Sequence, residues 1–253
     1  MFRALRISIP LLFAAVLMAG GVFGVSLPVL ADEGHAHDAT NIWNIARGGQ
    51  LYDNWMAVIE ADKPKATHPA YPKAGKKKGG STWRCKECHG WDYMGKDGAY
   101  AKGSHYTGIK GMRAMVGRDV NEIHDIIMDD THAMKDKMPH SAMEKIALFL
   151  SKGQVDNDKY IDRKNKAVRG NAKRGAAIFQ TVCAVCHGFD GKEINFKSPP
   201  KAEFVGTVCT KNPWEGLHKI RFGQPGVGMV ALAALGIDTA VDILSYCQTL
   251  PVK

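Results

Sequence analysis

The sequence predicts an all-α protein made of two similar helical halves. Apolar residues recur at helical spacings from Asn41 to Ile59, which predicts a first helix over that range. Short motifs of the first half return about 100 residues later, as expected of an internal repeat. The length of 253 residues leaves room for two such domains.

The clearest repeat is a pair of C-x-x-C-H motifs, at residues 85–89 and 183–187. This motif is the signature of covalent haem attachment. Its two sulfurs form thioethers with the porphyrin, and the histidine that follows becomes the proximal ligand of the iron. The sequence therefore predicts two covalently bound haem c groups. The predicted attachment residues are Cys85, Cys88 and His89 for haem 1 and Cys183, Cys186 and His187 for haem 2.

A structural zinc site is the main alternative for cysteines and histidines in this pattern. Zinc sites commonly place a second pair of ligands about 12–20 residues from the first. Here Cys85 and Cys183 are 98 residues apart, and each cysteine pair has its own histidine. A zinc site and a thioredoxin-like redox pair are both less well supported than two haems.

Residues 1–31 have the features of a secretory signal peptide. Arg3 and Arg6 precede an apolar run over residues 7–25, and Ala31 ends a plausible cleavage site. An uncleaved membrane anchor is the alternative, but Pro10 and three glycines interrupt the run. In bacteria, haem is attached to C-x-x-C-H motifs outside the cytoplasm. We therefore predict a periplasmic protein that does not span the membrane once the signal is cleaved.

The charge balance gives no indication of a nucleic-acid partner. Lys and Arg number 34 against 25 Asp and Glu, a formal charge of +9, and the loss of Arg3 and Arg6 lowers this to 32 − 25 = +7. The lysines are not arranged as a nucleic-acid surface. The run at residues 76–78 is either a solvated loop or a docking patch for an acidic redox partner.

Two predicted domains follow the signal peptide. The first covers residues 32–153 and contains an inserted loop at about 60–84; residues 154–171 form a charged linker, and residues 172–253 form the second domain. Further helices are predicted from Asp119 to Met128, from Ser141 as N-cap to Lys152, and from Asp238 to Thr249.

The repeat extends beyond the haem motifs. Residues 46–52 echo residues 173–179, and a His-Gly-aromatic-Asp sequence occurs at 89–92 and again at 187–190. On these motifs the chain resembles class I cytochromes c in tandem, over nearly all of the mature sequence. The resemblance implies two small domains, each wrapped around one haem, in which a glycine-containing first helix crosses the last helix.

Candidates for the distal iron ligands lie in the segments that follow the two haem motifs. Met229 lies in a Gly/Pro loop similar to the one that presents the axial methionine of class I cytochromes, so it is predicted for haem 2. The repeat offset between Phe149 and Tyr246 is 97 residues, and this offset aligns Met229 with His132. His132 is therefore the predicted distal ligand of haem 1. The alternatives left open are Met134, Met138 and His105.

These ligands would set the direction of electron flow. A thioether ligand raises the reduction potential, whereas a second imidazole favours ferric iron. Electrons would then pass from haem 1 to haem 2. The sequence thus predicts an electron carrier between redox proteins.

Two other functions stay open. The layout is similar to that of thiosulfate dehydrogenases, which implies an oxidoreductase acting on a small inorganic sulfur compound and a distal cysteine in the first domain. However, no cysteine lies between Cys88 and Cys183. The third possibility is a haem subunit of a larger dehydrogenase or respiratory complex.

Three residues outside the motifs carry further expectations. Cys209 and Cys247 are a disulfide candidate, since leftover cysteines of an exported protein commonly pair. Free buried thiols, or a Cys209 thiolate that binds iron or a sulfur substrate, are the alternatives. His218 is expected at the surface or against a haem propionate.

Overall fold

The structure is a computed structural model that describes residues 33–253, with side chains from residue 41 onward. Residues 34–253 form one compact unit, and this region contains helices and two isolated β-bridges but no strand. The predicted all-α fold is confirmed for these residues, while the predicted signal peptide lies outside them. The helices are α1 (Glu33–Val58), α2 (Cys85–His89), α3 (Val120–Met128), α4 (His140–Leu148), α5 (Ala172–Ile178), α6 (Ala184–His187), α7 (Val205–Lys211), α8 (Pro213–Phe222) and α9 (Gly236–Cys247).

The predicted helices form, with small shifts at their ends. α3 is capped by Asp119, whose carboxylate accepts hydrogen bonds from the N–H groups of residues 121 and 122. Ser141 is not the N-cap of α4, because the helix already begins at His140. The N-cap is Pro139, with φ −67°. After Leu148 the chain continues in a π turn over Phe149–Gly153. α9 begins at Gly236, two residues before the predicted start.

The two halves repeat one helix crossing. α1 crosses α4 at Gly48, where an added Cβ would lie 2.0 Å from the carbonyl oxygen of Lys145. α5 crosses α9 at Gly175, where an added Cβ would lie 1.9 Å from the carbonyl oxygen of Asp242. Each glycine therefore allows two helix backbones to touch.

An aromatic pair accompanies each crossing. The rings of Tyr52 and Phe149 are 5.4 Å apart in the first half, and those of Phe179 and Tyr246 are 5.4 Å apart in the second. Such contacts add specific stacking energy to the area that the rings bury. The echo between residues 46–52 and 173–179 thus corresponds to a repeated packing arrangement.

The described residues enclose two hydrophobic cores that exchange side chains. The first core lies among α1, α3 and α4, and it also contains Phe222 of α8. The second lies among α5 and α7–α9, and it also contains Trp91 and Tyr100 from the first half. Residues 154–171, predicted as a linker, contribute the buried side chain of Ile161. The halves are therefore packed against each other.

His218 of α8 is buried where the halves meet, so the prediction that it lies at the surface is wrong. Its side chain is 1% exposed. Burial lowers the pKa of His218 to about 3, so its ring is neutral. Nε2–H donates to the carbonyl of Gly49 at 2.9 Å, and Nδ1 accepts from the Tyr93 hydroxyl at 2.9 Å. Both ring nitrogens are thus satisfied by the first half.

An ion-pair network lies beside His218. The buried carboxylate of Asp53 on α1 pairs with Arg84 and with Lys219 of α8. Burial by itself raises the pKa of Asp53, but the two cations outweigh it and hold the pKa below the usual value. The first half is therefore joined to α8 by charge as well as by packing.

Candidate haem sites

Both C-x-x-C-H motifs fold into one helical turn that ends in the same way. Gly90 and Gly188 follow the motif histidines with φ +80° and +76°. Their N–H groups donate to the carbonyls of Lys86 and Ala184, at 3.0 and 2.8 Å. Because glycine adopts positive φ without strain, it can end these short turns sharply. The first motif lies wholly within α2, whereas in the second Cys183 directly precedes α6 as its N-cap.

His89 is oriented as an iron ligand needs to be. Its Nδ1 lies 2.8 Å from the carbonyl oxygen of Lys110, which requires a proton on Nδ1 and leaves the lone pair on Nε2. Burial lowers the pKa of His89 to about 4, so the imidazole is neutral. A neutral imidazole held through its other nitrogen is the usual form of a metal-bound histidine.

His132 faces His89. The centroids of the two rings are 6.4 Å apart, and the ring planes differ by 26°. A metal–imidazole bond is about 2 Å long and the bonded nitrogen lies about 1.1 Å from the ring centre, so two imidazoles on one iron have centroids about 6 Å apart. The separation of the two rings therefore matches that of two imidazoles bound to one iron.

Asp129 fixes the direction of the His132 ring. Its Oδ1 accepts from the backbone N–H of His132 at 2.8 Å and lies 2.9 Å from Nδ1 of the ring. Burial by itself raises the pKa of Asp129, but the hydrogen bonds from His132 together outweigh it and lower the pKa. A carboxylate on Nδ1 leaves Nε2 as the nitrogen available for a metal.

The inserted loop at 60–84 holds the segment that carries His132. Nε2 of His68 lies 2.8 Å from the carbonyl oxygen of His132, and the His68 ring packs edge-on against Trp83 at 4.4 Å. Nothing in the sequence identified His68, because its role depends on a contact 64 residues away. The loop is therefore part of the first site.

The alternative distal ligands have other surroundings. Met134 and Met138 are buried in the first core. His105 has its Nδ1 3.1 Å from the carboxylate of Glu87, and its ring stacks on Tyr100. Met134 and Met138 therefore stay open as alternatives to His132, whereas Nδ1 of His105 is already engaged with Glu87.

The second motif repeats the backbone of the first but not the hydrogen bond to its histidine. Nδ1 of His187 is buried without a hydrogen-bond partner among the described residues. Burial lowers the pKa of His187, and its ring contacts Phe196 edge-on with centroids 6.0 Å apart. Met229 is half-buried in the loop after α8. That loop packs on α1, since an added Cβ at Gly226 would lie 3.2 Å from Cβ of Ala57.

Cys209 and Cys247 lie together, but the disulfide predicted between them is not formed in the structure. Both are buried free thiols, on α7 and α9. The pKa of Cys247 is raised, first by a hydrogen bond with Cys209 and then by burial, so the Cys247 thiol stays protonated. Burial also raises the pKa of Cys183, a predicted haem-attachment residue, to about 11, with a further contribution from Cys247. The pair therefore lies close to the second motif.

Residues 172–234 match the family model of cytochrome c. This segment contains the second C-x-x-C-H motif and Met229. No curated protein matches the chain. Together with the helical fold, the match supports a c-type cytochrome. It implies covalently bound haem c, haem-based electron transfer and redox proteins as partners. Among residues 33–253, no helix combines the length and the hydrophobicity needed to cross a membrane.

Proposed function

We propose that the protein is a periplasmic dihaem c-type cytochrome that transfers electrons between redox proteins, from haem 1 to haem 2. Haem 1 would be attached at Cys85 and Cys88 with His89 and His132 as axial ligands. Haem 2 would be attached at Cys183 and Cys186 with His187 and Met229.

Two haems are supported by the repetition within the chain. Both motifs end in a glycine with positive φ, and in both the motif histidine carbonyl accepts a hydrogen bond six residues on, from Gly95 at 2.9 Å and Glu193 at 3.0 Å. The repeated helix crossing accompanies each motif. These features favour one haem in residues 32–153 and one in residues 172–253.

The observation that carries the proposal is the pairing of His89 with His132. Two imidazoles favour ferric iron, whereas the thioether of Met229 at the second site would raise the potential. The first site is therefore expected to have the lower potential, which sets the direction of transfer. Since both axial positions are filled at each site, neither iron would offer a free position to a substrate.

The packing between the halves suits electron transfer. His218 and the Asp53 network hold α8 against the first half in a buried interface. A buried, close-packed interface resists relative movement of its parts. Each site would therefore keep its geometry when its redox state changes.

The first test is electron paramagnetic resonance at low temperature on the oxidised protein, together with a haem count. We expect two haems per chain and two low-spin signals, one of bis-histidine and one of histidine–methionine type. Replacing Cys183 and Cys186 by serine should remove only the second signal. A high-spin or thiolate-type signal would contradict the carrier and favour an oxidoreductase.

Export is a separate part of the proposal, supported by residues 1–31. N-terminal sequencing of the purified haem protein should give a sequence that begins at Asp32. Cell fractionation should recover the protein in the periplasmic fraction. A chain that keeps residues 1–31 and sediments with membranes would indicate an anchor instead.

A further inference from the structure

Two histidines outside the haem sites face each other on the protein surface. His124 lies on α3, and His140 is the first residue of α4. Nε2 of His124 is 3.2 Å from Nδ1 of His140, and the ring centroids are 5.2 Å apart. The function proposed above uses neither residue.

The separation of these nitrogens suits two neighbouring ligands of one metal ion. With metal–nitrogen bonds of about 2 Å, nitrogens in a square-planar arrangement are about 2.9 Å apart, and those in a tetrahedral arrangement about 3.4 Å apart. The observed 3.2 Å lies between these values. We infer that His124 and His140 bind a divalent transition-metal ion such as Zn²⁺.

The surroundings of the pair support this assignment. His140 is exposed, and the side chain of His124 is 14% exposed, so an ion can reach both nitrogens from solvent. Oδ1 of Asp125 lies 3.5 Å from Nδ1 of His124, on the far side of that ring from His140. A carboxylate in this position favours the proton on Nδ1 and leaves the Nε2 lone pair for the metal.

The protein would supply two ligands and water the others. Within residues 33–253, no three His, Cys, Asp or Glu side chains converge on one point as a complete metal cage. Glu144 is exposed one helical turn after His140, on the same side of α4, and adds a negative charge to this part of the helix. Imidazole nitrogens with water are suitable ligands for Zn²⁺, Cu²⁺ and Ni²⁺.

A bound ion would join the two ends of one loop. α3 ends at Met128 and α4 begins at His140, so the segment between them is residues 129–139, which includes His132. Cross-linking the flanking helices restricts the opening of the loop. The ion would therefore stabilise the segment that carries the predicted distal ligand of haem 1.

Isothermal titration of the haem-loaded protein with Zn²⁺ tests the site. The parent for this experiment carries H35Q and H37Q, so that the two histidines near the mature N-terminus do not bind the ion. We expect one Zn²⁺ per chain. His140→Gln should weaken binding by at least about tenfold, because loss of even a second-shell partner commonly costs about 10- to 100-fold in metal affinity. The matched control Ser141→Ala changes the next exposed residue of α4 and should bind as the parent does.

Hydrogen exchange provides a second readout that does not depend on the haems. Zn²⁺ should slow amide exchange in residues 129–139 of the parent and of Ser141→Ala but not of His140→Gln. The inference is overturned if the parent binds no Zn²⁺, or if His140→Gln and His124→Gln both bind it with parental affinity. His140 is the primary target because its exposed side chain is replaced with little risk to folding.

Discussion

In the proposed dihaem arrangement, His132 is the side chain on which the electronic difference between the two sites depends. Its ring faces His89 at 6.4 Å and is oriented by Asp129. A buried methionine at 134 or 138 would give the first site the same ligand type as the second. The identity of this one ligand therefore decides whether the two potentials differ in the proposed direction.

We expect His132→Met to raise the reduction potential of haem 1 by on the order of 100 mV, because a thioether favours ferrous iron. A spectroscopic redox titration would follow both haems, and haem 2 should be unchanged. Met134→Leu and Met138→Leu are the matched controls and should leave both potentials close to those of the parent. If either leucine variant shifts the reduction potential of haem 1 and His132→Met does not, His132 is not the ligand.

At the level of helices, the two crossings are the repeated unit of the fold. Each depends on a glycine whose missing side chain lets one helix backbone touch another, at Gly48 and at Gly175. The aromatic pairs beside them have the same centroid separation in both halves. The two crossings should therefore respond alike to the same substitution.

Gly48→Ala and Gly175→Ala should each lower the free energy of unfolding by at least about 1–3 kcal/mol, because the added methyl overlaps a backbone carbonyl that cannot move freely. Chemical denaturation of the haem-loaded protein would measure the loss. Gly228→Ala is the matched control, because no atom lies within 4 Å of a Cβ added there. If Gly48→Ala and the control lose equal stability, α1 and α4 do not touch as described.

Across the full chain, the contact between the halves depends on α8. This helix contributes Leu217 and Ile220 to the second core and Phe222 to the first. Lys219 of the same helix pairs with Asp53 of α1. Because Asp53 is buried and its partners come from both halves, its charge should stabilise the protein as a unit.

Asp53→Asn should lower the free energy of unfolding by about 3–5 kcal/mol at pH 7, since it leaves the partly buried cations of Lys219 and Arg84 without their carboxylate. The pKa of Asp53 is lowered in the folded protein, so its contribution is complete above the unfolded value of about 3.9 and is lost as the pH falls through the folded pKa.

Denaturation at pH 7 and at pH 3 would test this dependence, with haem content checked in each variant. The difference between the parent and Asp53→Asn should shrink at the lower pH. Asp97→Asn, which changes an exposed aspartate, is the control and should show little difference at either pH. A difference of equal size at both pH values would mean that the Asp53 charge does not act as described.

The sequence by itself determined the features that depend on neighbouring residues. The chemistry of the C-x-x-C-H motifs can be predicted from the sequence because the attachment residues lie within one short stretch of chain. The echo of residues 46–52 in 173–179 indicated the repeated helix, and periodicity located α1, α3, α4 and α9 to within a few residues, apart from the start of α1. The repeat offset also aligned His132 with Met229, which lie 43 and 42 residues beyond the histidines of their C-x-x-C-H motifs.

Only the tertiary structure decided what distant segments do together. His218 was expected at the surface or against a haem propionate, but the packing of α8 against the first half buries it between Gly49 and Tyr93. The hydrogen bond from His68 to the His132 carbonyl and the His124–His140 pair likewise depend on contacts between separate segments. Local patterns report the periodicity and chemistry of one segment, whereas burial and ligand pairing arise from which surfaces meet when the chain folds.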